Sequence, residues 1–369
     1  MTSPEKYQPV QIDAYRFGEG GADIDFVELS PPMQTMPLAP SFILGPMRTS
    51  DSMGMFSITG TGPAGYYVVR NAVVTLDGIT LHRDKLLTSL ITNFPEAHCL
   101  AMLRHLSEAV GNSEPRKIPG RAVLLTGPGY TTWGHWLVDF LPRLFLLERA
   151  GWEIDKLKWI ITRQTPAFAR ELLHLLGIPE SCLIEYDPSS EMIRVGELII
   201  PTNLSAGTLM HPLFSEAVTW MKRRLHLVLI SNVTQQPKIF LSRSSAAFQR
   251  MLGNRDVIET IARAARYTVV DPALLPVPEQ LGLFYSATHV AGEYGSGLHT
   301  SIFSSVGTVV TCLRGPNHTA GVLQNGLAKA CGHKIGYVFG EEMPSSPIEA
   351  YTIPGELFRQ GLDFADMIV

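Results

Sequence analysis

From Arg121 onward, short apolar runs alternate with helical stretches, and this rhythm limits the chain to an α/β fold built on parallel sheets. Ala122-Val123-Leu124-Leu125 reads as a buried strand followed by the turn Gly127-Pro128-Gly129. A helix over 135–150 comes next, then a strand over 158–162 and a helix over 166–176 closed by Gly177. A further strand spans 198–201. A long helical stretch, 211–230, bridges to a second run of the same kind. That run has strands at 238–242, 267–270, 289–292, 308–312 and 335–338. Helices at 255–265, 278–287, 297–304 and 320–331 lie between them. Strands separated by helices form a parallel sheet covered on both faces. In a doubly wound sheet, ligands sit outside the carboxyl ends of the strands. Three loops of the second half leave such ends: 242–254, 271–278 and 292–298.

Residues 1–115 read differently, as β-rich and irregular. Strands at 66–69 and 72–76, the turn Asp77-Gly78 and a strand at 79–81 form a hairpin signal. At 369 residues, 45% of them apolar and 17% charged, the chain supports two well-cored domains. A net charge of −4 gives no reason to expect nucleic acid as a partner. The first twenty residues hold no apolar run of a secretory signal, and no stretch approaches the ~20 apolar residues of a membrane span. The four cysteines (99, 182, 312 and 331) form no C-x-x-C pair and no zinc spacing. A reducing cytoplasm is the expected compartment. On that expectation the sequons at Asn203, Asn232 and Asn317 are chance matches. No G-x-S-x-G, H-E-x-x-H or Walker sequence is present, which argues against hydrolase, zincin and P-loop chemistry.

The helix over 135–150 carries the most chemistry. Helical spacing puts His135, Asp139 and Arg143 on one face, at i, i+4 and i+8. Trp136, Leu137, Phe140, Leu141 and Leu144 fill the other. An imidazole, a carboxylate and a guanidinium above an apolar stripe suit proton transfer beside an anion. They equally suit a buried helix whose polar groups pair with one another. Pro142 removes one intrahelical hydrogen bond, so a kink at Leu141 or a new helix at Pro142 is expected.

The second half offers anion-binding groups. Gly292-Glu293-Tyr294-Gly295-Ser296-Gly297 follows a strand and opens a helix, where close backbone approach and free N–H groups favour a diphosphate. Its spacing is not that of the dinucleotide fingerprint, and no downstream ribose-binding acid is apparent, which makes a dehydrogenase a weak reading. Gly60-x-Gly62-x-x-Gly65 has that spacing but precedes a strand, so it is set aside. Ser242, Arg243 and Arg250 supply a hydroxyl and two cations for phosphate oxygens, unless the arginines are surface charges. Asp23-Ile24-Asp25 is the one short D-x-D. It lies outside any clear strand-loop-helix context, so no metal is assigned.

Taken in order, these segments resemble glycosyltransferase family 61, which includes plant xylosyl- and arabinosyltransferases and animal O-linked N-acetylglucosaminyltransferases. The resemblance is carried by Trp133-Gly134-His135-Trp136-x-x-Asp139-x-x-Pro142-Arg143-Leu144 and Ile239-Phe240-Leu241-Ser242-Arg243. Leu252-x-Asn254, Val270-Asp271-Pro272 and Glu279-Gln280-Leu281-x-Leu283-Phe284 continue it. Ala287-x-x-Val290-Ala291-Gly292-x-x-Gly295-Ser296-Gly297-Leu298 completes it. The family usually shows His-Gly-Ala-Gly-Leu followed by Thr-Asn. Here Tyr294 stands at the histidine position and Thr300 at the asparagine, where side chains facing the donor would alter the sugar or base preference.

The resemblance implies an α/β GT-B fold: two Rossmann-like domains facing across a cleft, here with a β-rich N-terminal region. The expected divisions are an acceptor-side domain over 1–206 (β-rich 1–115, Rossmann-like 116–206), a nucleotide-sugar-binding domain over 207–345, and a tail over 346–369 that packs back on the first domain. It implies a bacterial, inverting, metal-independent transferase without a cofactor. The donor is a nucleotide sugar, usually a UDP-sugar. The acceptor is a glycan or lipid-linked intermediate in surface polysaccharide synthesis. Asp139 and His135 are the catalytic candidates, with either as the base. Ser242, Arg243, Arg250, Asn254, Gly292, Glu293, Tyr294, Gly295, Ser296, Gly297 and Leu298 are the donor-side candidates, and Trp136 and Arg143 the structural or acceptor-side ones. Peripheral membrane contact through the basic run 222–226 is a further expectation. The rival reading is a nucleotide- or sugar-binding protein that has lost catalysis.

Overall fold

Two runs of buried β-branched and aromatic residues seed two separate sheets. The computed structural model describes residues 7–17, 23–47, 60–109, 114–232, 236–243, 251–316, 323–343 and 350–368. Contacts divide the chain into one unit of Met1–Met33 with Gly62–Leu204 and a second of Gln34–Thr61 with Ser205–Val369. The expected boundary at 206/207 lies two residues from the break at 204/205, whereas 34–61 joins the second unit.

The first unit contains β1 (Gln8–Gln11) and β2 (Ile24–Ser30), while β3 (Phe42–Leu44) belongs to the second. It continues with β4 (Ala64–Thr75), β5 (Ile79–His82), β6 (Lys85–Thr88), α1 (Glu96–Ala109) and β7 (Arg116–Leu124). A broken helix follows: α2 (Trp133–His135), a wide turn (Trp136–Phe140) and α3 (Leu141–Arg149). Strand β8 (Trp159–Thr162), α4 (Ala167–Leu175), β9 (Leu183–Tyr186) and β10 (Met192–Pro201) complete it. The nine-stranded sheet runs β1-β6-β5-β4-β10-β7-β8-β9, with β2 on β4. Its β10-β7-β8-β9 part is parallel, and β4 joins it antiparallel. The strands expected at 66–69 and 72–76 are one strand. Asn71 takes φ 53, yet pairing with β10 continues on both sides, Arg70 with Glu197 and Ala72 with Val195.

The second unit contains α5 (Leu213–Arg224), α6 (His226–Ser231), β11 (Lys238–Leu241), α7 (Arg255–Ala264) and β12 (Thr268–Val270). Then come α8 (Val277–Ser286), β13 (His289–Glu293), α9 (Ser296–His299), β14 (Val309–Arg314), α10 (Leu323–Cys331) and β15 (Lys334–Phe339). A short strand, β16 (Ala350–Thr352), and a final helix, α11 (Gly355–Met367), end the chain. Strands β13 and β14 are buried along their whole length, as a sheet covered on both faces requires. The main sheet is six-stranded, all parallel, in the order β12-β11-β13-β14-β15-β3. From β11 the chain steps outward to β12, then returns to add β13 on the other side. That reversal lies at the carboxyl ends of β11 and β13, the place where doubly wound sheets bind ligands.

The stretch expected as one helix over 211–230 breaks at Leu225, between α5 and α6. The end of the chain groups with the second unit. Phe358, Leu362 and Ala365 form an apolar stripe on α11 that joins the core of the second sheet with Phe240 and Val338. The architecture is therefore mixed α/β with parallel sheets in both units. Among the described residues, no helix is long and apolar enough to cross a membrane.

Candidate active site

Pro142 shapes the first unit's site. Its ring would clash with the carbonyl four residues back in a regular α-helix. The chain does not stop there; it widens by one residue. The N–H of Leu141 donates to the carbonyl of Trp136, five residues earlier, and α3 then proceeds through Pro142. Such π turns are rare and cluster at functional sites. Nε of Arg143 donates to the carbonyl of Asp139 at 3.1 Å.

Nδ1 of His135 lies 2.6 Å from Oδ2 of Asp139. The two side chains are unequally exposed, 43% for His135 and 9% for Asp139. The imidazole therefore meets solvent while the carboxylate sits behind it. The hydrogen bond and charge of Asp139 raise the His135 pKa above its ordinary value, against the opposing effect of burial. Room for the ring comes from Gly129. A Cβ there would lie 2.3 Å from Cδ2 and 2.6 Å from Nε2 of His135, and its φ of 83° is a left-handed conformation. The indole N–H of Trp136 donates to the carbonyl of Tyr130 at 2.7 Å, which ties this helix to the same loop.

Asn203, two residues past β10, links the polar groups behind the imidazole. Its Nδ2 donates to Oδ1 of Asp139 at 3.4 Å, and its Oδ1 accepts from Nη2 of Arg143 at 3.0 Å. Arg143 is 1% exposed and also reaches the carbonyls of Thr92 and Leu124 at 3.4 and 3.5 Å. Burial pushes its pKa down to about 10, against the opposing charge of Asp139. Arg143 and Asn203 thus hold Asp139, and Asp139 holds His135.

In the second unit, Ser242 and Arg243 leave β11 where the strand order reverses, beside the segment that leaves β13. Ser242 is 4% exposed, and its hydroxyl has no hydrogen-bond partner among the described residues. Nη1 of Arg243 donates to the carbonyl of Tyr294 at 3.4 Å. Gly292 pairs with Leu241, and a Cβ on Gly292 would come within 2.8 Å of the Leu241 Cβ. Tyr294, Gly295, Ser296 and Gly297 are partly exposed, while Leu298 is buried.

Two donor-side candidates are engaged elsewhere. The buried carboxylate of Glu293 accepts from Nε of Arg255 at 3.0 Å and from the N–H of Leu252 at 3.4 Å. The amide of Asn254 pairs with the backbone of Ile353, donating at 2.8 Å and accepting at 3.2 Å. Both serve to hold the rim. Arg250 lies outside the described residues. Asp23 pairs with Arg83, and Asp25 with Arg70 at 2.8 Å. In the basic run 222–226, Lys222 donates to the carbonyl of Ser304 at 2.6 Å, and Arg224 stacks on Trp220. Sequence reasoning overlooked Asn203, whose one signal was its place just past a strand end.

Residues 133–311 match the model of the family described as Glycosyltransferase 61. No curated protein matches the chain.

Proposed function

The chain belongs to glycosyltransferase family 61 through this segment, and we propose that it is an inverting enzyme that takes a sugar from a nucleoside-diphosphate donor. The acceptor is a hydroxyl of a glycan or a lipid-linked glycan. The architecture proposed with this reading is GT-B, with the base in the first domain and the donor in the second.

His135 is the base in this reading, and Asp139 orients it. The supporting observation is the inequality of the pair: the exposed imidazole is bonded through Nδ1 to a carboxylate that is buried and held by Asn203. That bond fixes the tautomer that leaves Nε2 to accept a proton. Nε2 takes the proton of the acceptor hydroxyl as its oxygen attacks the anomeric carbon. The bond from that carbon to the diphosphate breaks, and the diphosphate leaves with the electron pair. Arg243 and the Ser242 hydroxyl meet the charge that grows on it. A buried hydroxyl without a partner among the described residues is suited to donate to a phosphate oxygen. The pairing of Asp23 and Asp25 with arginines supports a reaction without a D-x-D metal.

Turnover of a panel of UDP-sugars by wild type, His135→Ala and Asp139→Asn tests the assignment. Both variants should fold and lose turnover, His135→Ala more severely. Near-normal turnover by two correctly folded variants would falsify it.

A further inference from the structure

Arg314 closes β14 and is 1% exposed. Its guanidinium carbon lies 4.8 Å from the centre of the Tyr294 ring and 5.7 Å from that of Phe339. Tyr294 directly follows β13, and Phe339 closes β15. The three residues thus stand at the carboxyl ends of three adjacent strands, β13, β14 and β15, with the cation in the middle. Burying a guanidinium forfeits its hydration, and aromatic faces restore part of that loss. The cost brings order to one side chain in particular.

Tyr294 is held from several directions. Its N–H donates to the carbonyl of Leu313 at 2.8 Å, which extends the pairing one residue beyond β13. Its carbonyl accepts from Nη1 of Arg243 at 3.4 Å. The His299 ring meets it edge-on, with centres 6.4 Å apart. Arg314 covers its ring. Tyr294 is nevertheless partly exposed, at the rim where Ser242 and Arg243 also emerge.

We propose that Arg314 is a positioning residue of the donor site: it fixes the Tyr294 ring as a wall against which a nucleoside diphosphate packs. This inference rests on the donor site proposed above. It assigns a role to a residue that does not itself touch the ligand, so the effect of Arg314 on binding must pass through Tyr294.

A double-mutant cycle read by calorimetric titration tests this. UDP, GDP, ADP and TDP are titrated into wild type, and the tightest binder serves as the probe. Arg314→Met and Tyr294→Ala should each weaken its binding roughly five- to tenfold, the range expected for loss of one ordered stacking contact. The double variant should bind no more weakly than Tyr294→Ala alone, and Arg314→Lys should recover part of the loss. If Arg314→Met does not fold, the same cycle is run with Arg314→Lys, whose deficit should vanish in the Tyr294→Ala background. Unchanged affinity with a lowered melting temperature would assign Arg314 to the sheet alone and overturn the proposal, as would losses that multiply in the double variant. Arg243→Ala separates the two levels. If it loses binding while the Arg314 and Tyr294 variants keep theirs, only this inference fails. If wild type binds none of the nucleotides, or Arg243→Ala binds as wild type does, the donor-site reading fails and takes this inference with it.

Discussion

His135 and Asp139 meet at 2.6 Å across a π turn, so a widened helix still brings together two side chains four residues apart. The carboxylate favours the imidazolium, which keeps His135 protonated above its ordinary value of 6.5. The form that accepts a proton appears only as pH rises past that raised value. Turnover should therefore show an acid limb above pH 6.5. Asp139→Asn removes the charge that raises the pKa and the charge assistance of the hydrogen bond, and leaves the burial that lowers it. Its acid limb should move below 6.5, with turnover reduced on the order of a hundredfold. The stability sign is opposite. The pair's contribution is complete below the unfolded histidine value and is lost as pH rises through the folded one. A pH–rate profile of both proteins checks the shift.

Gly129→Ala should disable the site from outside the pair. The new Cβ would sit 2.3 Å from the His135 ring, at a φ of 83° that alanine rarely adopts. Backbone strain of this kind costs about 1–3 kcal/mol. Displacing a reacting group by about 1 Å costs roughly a hundredfold in rate. Denaturant unfolding and a turnover assay measure the two effects separately. Wild-type turnover would show that the ring need not stand where Gly129 allows it.

The groups behind Asp139 should divide stability from rate. Arg143→Met deletes the bonds to the Asp139 carbonyl and to Asn203, and should cost about 3–5 kcal/mol in urea unfolding. Asn203→Ala should cost less, about 1–2 kcal/mol. It should lower kcat while leaving the donor KM unchanged, because the side-chain hydrogen bonds of Asn203 go to Asp139 and Arg143 and its loss loosens the carboxylate. A raised donor KM in Asn203→Ala would contradict that division.

Several of these relationships were legible in the sequence, and others were not. The strands of the second sheet stood out because β11, β13 and β14 are short runs with apolar centres, separated by helices. The His135–Asp139 contact followed from helical spacing. The π turn did not, because Pro142 announces a disturbance without saying whether the chain kinks, restarts or widens. Asn203 sits 64 residues from Asp139, and no local pattern marks such a contact. The same distance effect hides the partners of Glu293 and Asn254. Both sit beside the expected diphosphate turn, yet their partners, Arg255 and Ile353, arrive from 38 and 99 residues away. Helix α11 was missed because its stripe of Phe358, Leu362 and Ala365 makes sense only once β15 and α7 stand ready to receive it.

Metal independence has its own test. Asp23 and Asp25 are paired with Arg83 and Arg70, which supports the proposal of a reaction that needs no cation held by them. Turnover should survive an excess of chelator at full rate. Loss on chelation, restored by magnesium or manganese, would return both aspartates to the site.

The donor end rests on Arg243, which follows β11 at the point where the strand order reverses. A charge-assisted hydrogen bond to phosphate is worth about 1.5–3 kcal/mol. Arg243→Ala should thus bind the nucleotide about ten- to a hundredfold more weakly. Arg243→Lys should recover only part, since an ammonium cannot make the two-pronged contact. Calorimetric titration of UDP into wild type and Arg243→Ala is the most direct measurement. A tenfold or greater loss of affinity in a variant that melts like wild type supports the donor site at the carboxyl ends of β11 and β13. Equal affinities would remove Arg243 from the site and contradict the placement of the donor there.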